Sequence, residues 1–282
     1  MQYDPTRRSL YTPESGEPQP DFRHDWPVEW ICAELSRLAY YRFDEGDAPR
    51  LTRALTAAGF SEPVFFNAAQ TDTQAFACLS PRRTAFIAFR GTQAGKPRDF
   101  IADARFGWAD GPGGSRIHSG FAGAFDSVVR DISAWLNASG AAATVATGHS
   151  LGAALATLFA SARPDADLVT FGSPRVGDAA FVATFAGRSV RRYVDCTDVV
   201  TTVPPEGLGF RHLDGEIYID RDGAAHAPAP GAEAMREDRR TARRHYLRKH
   251  AWKVWRNVMA RDLADHAPVN YVSGATGRRE PD

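Results

Sequence analysis

Ser150 sits at the centre of Gly148-His149-Ser150-Leu151-Gly152, between a small, β-branched run (144–147) and an alanine- and leucine-rich run (153–162). That order reads as strand, sharp turn and helix. A serine at such a turn takes a strained backbone conformation and lifts its hydroxyl above the end of the sheet. Glycines two residues to either side are needed because strand and helix pass there too closely for a Cβ. The helix behind it aims free N–H groups at any negative charge that develops on a bound carbonyl. Ser150 is therefore the candidate nucleophile for acyl transfer.

A hydroxyl is a poor nucleophile until a base takes its proton, and the base works best when a carboxylate orients it. For a strand–turn–helix nucleophile the chain order is serine, acid, histidine, which leaves His212, His226, His245, His250 and His266. His212 flanks a strand, His226 lies in a Pro/Ala loop, and His245 and His250 fall on a basic helix. His266 follows that helix, where the chain turns back toward the core. For the acid, the strand 190–194 delivers Asp195 and Asp198 to its carboxyl end. Asp198 leads into an apolar run (199–205) that suits a buried orienting carboxylate, and Asp195 is its rival. An oxyanion needs two donors. One is the backbone N–H of Leu151; the other is the N–H of Thr92, with its hydroxyl, in the loop after an earlier strand. His118 and His149 precede the serine and read as supports for backbone positions. No metal or cofactor enters this chemistry.

These groups need a sheet to hold them. Residues 26–41 and 51–58 show helical spacing, and 63–67, 73–79 and 84–90 are strand-like. The last, Thr84-Ala85-Phe86-Ile87-Ala88-Phe89, is nearly all apolar, as a strand buried on both faces must be. Residues 120–137 read as a helix, 167–171 and 190–194 as strands, 181–185 as a helix, and 210–222 as a late hairpin or edge strand. Such alternation gives a mostly parallel twisted sheet flanked by helices. Residues 93–114 form a long glycine-, proline- and aromatic-bearing loop, in which Phe100, Ile101 and Ala104 suggest a short helix covering a site. The plainer alternative is a surface loop tacked down by its aromatics.

The remaining features bound the protein. Lys plus Arg equal Asp plus Glu at 34 each, so nothing global points to nucleic acid. No apolar run approaches the roughly 18 residues a membrane span needs, and the first residues lack a secretory core. Cys32, Cys78 and Cys196 read as buried hydrophobes in a reducing compartment, so a cytoplasmic location is expected, although a chain trimmed of its leader would read the same. Residues 1–25 read as an extended arm, 26–272 as one domain, and 273–282 as a flexible tail. Residues 233–262 read as one long basic helix. It either lies on an anionic membrane or, as the more ordinary arrangement, packs its apolar face on the sheet. Oligomeric state is not legible.

Several blocks together resemble the class 3 lipase family, the α/β-hydrolases typified by fungal triacylglycerol lipases. They are Phe89-Arg90-Gly91-Thr92, Ile117-His118-Ser119-Gly120-Phe121, the segment 148–156, Thr170-Phe171-Gly172-Ser173-Pro174-Arg175-Val176-Gly177-Asp178, Asp198-Val199-Val200 with Pro204-Pro205, and Asp265-His266 with Tyr271. They occur in the family's order across roughly residues 60–272. Asp178 stands where the family usually has asparagine, and Asp99-Phe100 where a tryptophan is common. The resemblance implies ester hydrolysis by Ser150, Asp198 and His266, an oxyanion hole on Thr92 and Leu151, and a lid at about 93–108. Lipid esters such as acylglycerols are the implied substrates. The alternatives are a short-chain carboxylesterase or thioesterase, and a non-catalytic module that keeps the fold.

Overall fold

The computed structural model describes residues 2–92, 107–253 and 255–280. Eight strands form one sheet in the order β1 (Val64–Ala68), β2 (Thr73–Leu79), β3 (Thr84–Phe89), β6 (Ala143–His149), β7 (Ala166–Phe171), β8 (Val190–Asp195), β9 (Glu216–Ile219) and β10 (Ala225–His226). A short antiparallel pair, β4 (Trp108–Asp110) and β5 (Arg116–His118), stands apart from it. The central strands β3, β6, β7, β8 and β9 run parallel, while β1, β2 and β10 are antiparallel additions at the edges. This is the mostly parallel, helix-flanked sheet expected from the alternating pattern, in the α/β-hydrolase arrangement that the resemblance implies.

Strand periodicity decides which residues meet which layer. Along β3, Ala85, Ile87 and Phe89 pack with Phe121, Ile132, Leu155 and Phe159 on one face. Phe86 and Ala88 pack with Leu35, Leu38, Leu55 and Val272 on the other. A strand buried on both faces has no polar side to spare, and for that reason its sequence is continuous hydrophobe. The helix Leu151–Ala162 is likewise buried for most of its length, because it lies between sheet and outer helices. Among the described residues no helix is long and apolar enough to cross a membrane.

Four expectations differ from the structure. The helix placed at 120–137 is two helices, Ser119–Asp126 and Val129–Ser139, broken at Ser127-Val128. The N-terminal arm is not extended. Thr6 caps a helix, Arg7–Tyr11, and Tyr3 and Leu10 are buried against Tyr246, Val258, Ala264 and Ala267. Few apolar residues suffice there because a distant part of the chain supplies the matching surface. As far as Glu280 the C-terminal segment is not a flexible tail either: the helix Pro268–Ala275 runs into it, and the Arg279 guanidinium is buried against the Asp195 carboxylate. The basic helix stops early, at Lys249, after starting at Ala232. Beyond it the Tyr246 hydroxyl donates to the Val258 carbonyl at 2.6 Å, and Val258 N–H donates to Pro5 O, tying Val258 back against the helix and the N-terminal segment. The lid expected at 93–108 lies outside the described residues except for Gly107 and Trp108; Trp108 stacks on Phe210 at 3.9 Å.

Candidate active site

The turn after β6 is built by contact, not by propensity. Ser150 has φ +59° and ψ −127°, a conformation an ordinary residue avoids. Its N–H donates to Phe171 O at 3.0 Å, tying the turn to the end of β7. A Cβ on Gly148 would lie 2.3 Å from the Gly152 carbonyl oxygen, and one on Gly152 would lie 2.1 Å from that of Phe89. Only glycine fits at either position.

Three side chains far apart in the chain converge on this turn. His266 Nε2 lies 2.9 Å from Ser150 Oγ, and His266 Nδ1 lies 2.9 Å from Asp198 Oδ2. An ionised carboxylate only accepts, so Nδ1 carries the proton and the Nε2 lone pair faces the serine hydroxyl. All three side chains are nearly excluded from solvent. Asp198 is further held by Val200 N–H at 2.8 Å and by the Tyr271 hydroxyl at 2.5 Å. Burial and the Asp198 charge push the Tyr271 phenol well above its ordinary pKa, so it stays a donor. That hydroxyl in turn accepts from Asp195 N–H at 3.0 Å.

His266 is braced from behind. His149 Nε2 lies 2.8 Å from the His266 carbonyl oxygen, which can only accept, so this nitrogen is the protonated one. Its Nδ1 is then an acceptor and receives a hydrogen bond from the Tyr40 hydroxyl at 2.7 Å. Burial, helped by the His266 ring 4.5 Å away, depresses the His149 pKa well below the usual imidazole value and keeps it neutral. One residue upstream of His266, Asp265 accepts from the Tyr3 hydroxyl, Thr197 N–H, Thr197 Oγ1 and Arg261 Nε at 2.7–3.2 Å. The N-terminal segment thereby reaches the histidine loop.

Of the two acids left open by the sequence, Asp198 faces the histidine, while Asp195 pairs with Arg279. His212 Nε2 donates to Thr201 O, and His226 pairs with Asp220, so neither approaches the serine. His118 caps a helix by accepting from Gly120 and Phe121 N–H, a backbone support as expected. Leu151 opens the helix behind Ser150, where the first N–H groups have no intrahelical partner. Thr92 is half-buried at the carboxyl end of β3, the strand beside β6. A Cβ on neighbouring Gly91 would lie 2.7 Å from His149 O, so this loop passes close to the turn. Tyr40, Tyr3 and Arg279 were not foreseen. Nothing in their local sequence marks them, because each acts across more than eighty residues.

Residues 86–208, which include the serine turn and Asp198, match the family model for lipase (class 3). Over that segment the chain is similar to class 3 lipases. A lipase from Rhizopus niveus is 30% identical over 172 residues, covering 55% of this chain and 43% of that protein. The secreted mono- and diacylglycerol lipase 1 of Fusarium solani is 36% identical over 152 residues, covering 49% and 45%. The chain thus spans less than half the length of these two relatives. A solved structure described as a serine protease triad forming the catalytic centre of a triacylglycerol lipase superposes with a TM-score of 0.59. It is 27% identical, with 68% of this chain and 79% of that one covered. The Fusarium relative is described as secreted, so the cytoplasmic location expected above finds no support among the relatives. The three cysteines are free and buried, as read from their spacing.

Proposed function

We propose that this chain is a serine ester hydrolase acting on acylglycerols or related lipid esters through an acyl-enzyme on Ser150. The observation that carries the reading is the relay from Ser150 Oγ through His266 to Asp198, with both links at 2.9 Å. In the first half-reaction His266 Nε2 takes the Ser150 proton as Oγ attacks the ester carbonyl. Asp198 stabilises the imidazolium that forms, and His266 then hands its proton to the departing alkoxide. The backbone N–H groups of Leu151 and Thr92 hold the tetrahedral oxyanion. Water repeats the sequence on the acyl-enzyme, releasing the carboxylic acid and restoring the serine. The lipid preference is supported by the family and by the relatives' described substrates.

The test is a chain-length series of esters, with covalent labelling by a fluorophosphonate. Ser150→Ala is expected to abolish labelling and to lower kcat by about 10⁴-fold or more, as removal of a nucleophile does elsewhere. A series peaking at long, poorly soluble esters supports a lipase. Turnover confined to soluble butyrate esters would make it a short-chain esterase, and a folded chain that neither labels nor turns over esters would be a non-catalytic module.

A further inference from the structure

The stretch 244–259 contains Arg244, Arg248, Lys249, Lys253 and Arg256 and not one Asp or Glu, in a chain whose charges cancel overall. Cations earlier in the preceding helix are paired: Arg236 with Glu233, Arg240 with Glu237 and Arg243 with Asp262. Among the described residues Arg244, Arg248, Lys253 and Arg256 have no carboxylate partner. The same stretch carries four of the six exposed large apolar side chains among the described residues. They are Leu247 (63% exposed), Trp252 (67%), Trp255 (77%) and Met259 (55%).

Two exposed tryptophans, a leucine and a methionine among these cations are not a solvated surface. Folding favours turning such rings inward, and here the backbone is pinned so that they point out. Tyr246 and Asn257 are buried beneath the segment, Asn257 Nδ2 donates to His250 O, and Val258 N–H donates to Pro5 O. Trp252 Nε1 donates to Lys249 O while the Lys253 ammonium lies 4.9 Å from its ring centre, so indole and cation are presented together. Beside them, Lys249, Lys253 and Arg256 line a cleft whose opposite wall is the chain from Gln2 to Thr6, with Glu280 also lining it.

We propose that this platform docks the protein onto an anionic phospholipid surface. The cations meet headgroup phosphates, and Trp252, Trp255, Leu247 and Met259 enter the headgroup–acyl boundary. Indole prefers that boundary, with its ring in the apolar zone and its N–H among polar groups. Basic residues add attraction in proportion to surface charge. Aliphatic Leu247 and Met259 favour a lipid surface over a nucleic acid, which would call for stacking rings alone. Docking stands apart from hydrolysis, since it requires only that the surface be reached.

The test is co-sedimentation of the full chain with vesicles of ether-linked phosphatidylcholine, with or without about a third phosphatidylglycerol. These lipids have no carboxylic ester to cleave, so binding is read independently of turnover. Binding should rise with anionic lipid and fall with salt. Lys253→Ala and Arg256→Ala should each weaken it about fivefold. Trp252→Ala and Trp255→Ala should each weaken it about tenfold, while turnover of a soluble ester stays at the wild-type rate. Equal binding to neutral vesicles, or full binding by the double tryptophan variant, would overturn the proposal. So would a result in which these variants abolish only a concentration-dependent dimer, or only retention on an RNA oligonucleotide.

Discussion

Gly172 follows β7 with φ +59°, directly beneath the Asp198–His266 pair. A methyl group there would lie 2.8 Å from Asp198 Oδ2, 3.1 Å from His266 Nδ1 and 3.1 Å from Tyr271 Cε2. Gly172→Ala should therefore do two separable things. The left-handed backbone costs an alanine about 1 kcal/mol, which for a domain of this size lowers Tm by about 2–4 °C. The contacts must also open by about 0.5 Å to reach ordinary van der Waals separation. That displacement falls on the hydrogen bond that orients the base, where misplacement by 1 Å costs on the order of 10²-fold. We expect kcat/KM on a soluble ester to fall about 10–100-fold, almost all of it in kcat, since the methyl faces the relay. Gly187→Ala is the control. Gly187 has φ +74°, and a methyl added there would meet no heavy atom within 4 Å, so this variant shares the strain and leaves the relay untouched. Ester turnover and thermal denaturation of both variants decide the matter. If Gly172→Ala folds and keeps activity within about twofold of wild type, the relay's spacing does not govern the rate. If Gly187→Ala loses as much activity as Gly172→Ala, general strain is responsible.

Two further outcomes are expected. Tyr3→Phe removes the hydroxyl that donates to buried Asp265 at 2.7 Å, and hydrogen bonds to a charge contribute about 1.5–3 kcal/mol. Chemical denaturation should show a loss in that range, and an unchanged midpoint would mean the N-terminal segment does not brace the histidine loop. Stability should also fall on acidification. Burial holds His149 and His212 well below the ordinary imidazole pKa, with His266 and Arg192 adding to the shift. The unfolded chain takes up protons there below about pH 6.5 and the folded chain does not. The histidine contribution is therefore complete above that pH and is lost as pH falls toward the folded values, at about 1.4 kcal/mol per pH unit for each group. Asp195 offsets one of them: burial, opposed by Arg279, pushes its carboxyl up to about 7, so the folded chain keeps a proton that the unfolded chain releases. Denaturation midpoints should drop between about pH 6.5 and 5, and a flat profile there would refute the balance.

The sequence by itself determined the elements whose cause is local. The unbroken apolar run of β3 marked a strand buried on both faces, and the Gly148-His149-Ser150-Leu151-Gly152 turn announced its own geometry, because only glycine fits where strand crosses helix. Chain order with strand ends narrowed the acid to two residues and singled out one histidine. Tertiary structure decided what depends on neighbours remote in sequence. It separated Asp198 from Asp195 by giving the first to His266 and the second to Arg279. It turned an arm with few apolar residues into a helix and a brace, since Tyr3 and Leu10 are buried by partners more than two hundred residues away. It also ended the basic helix at Lys249, where a hydrogen bond from Tyr246 to Val258 outweighs helical periodicity. Periodicity reports which side of an element is apolar, whereas the partner on that side is chosen only when the chain closes on itself.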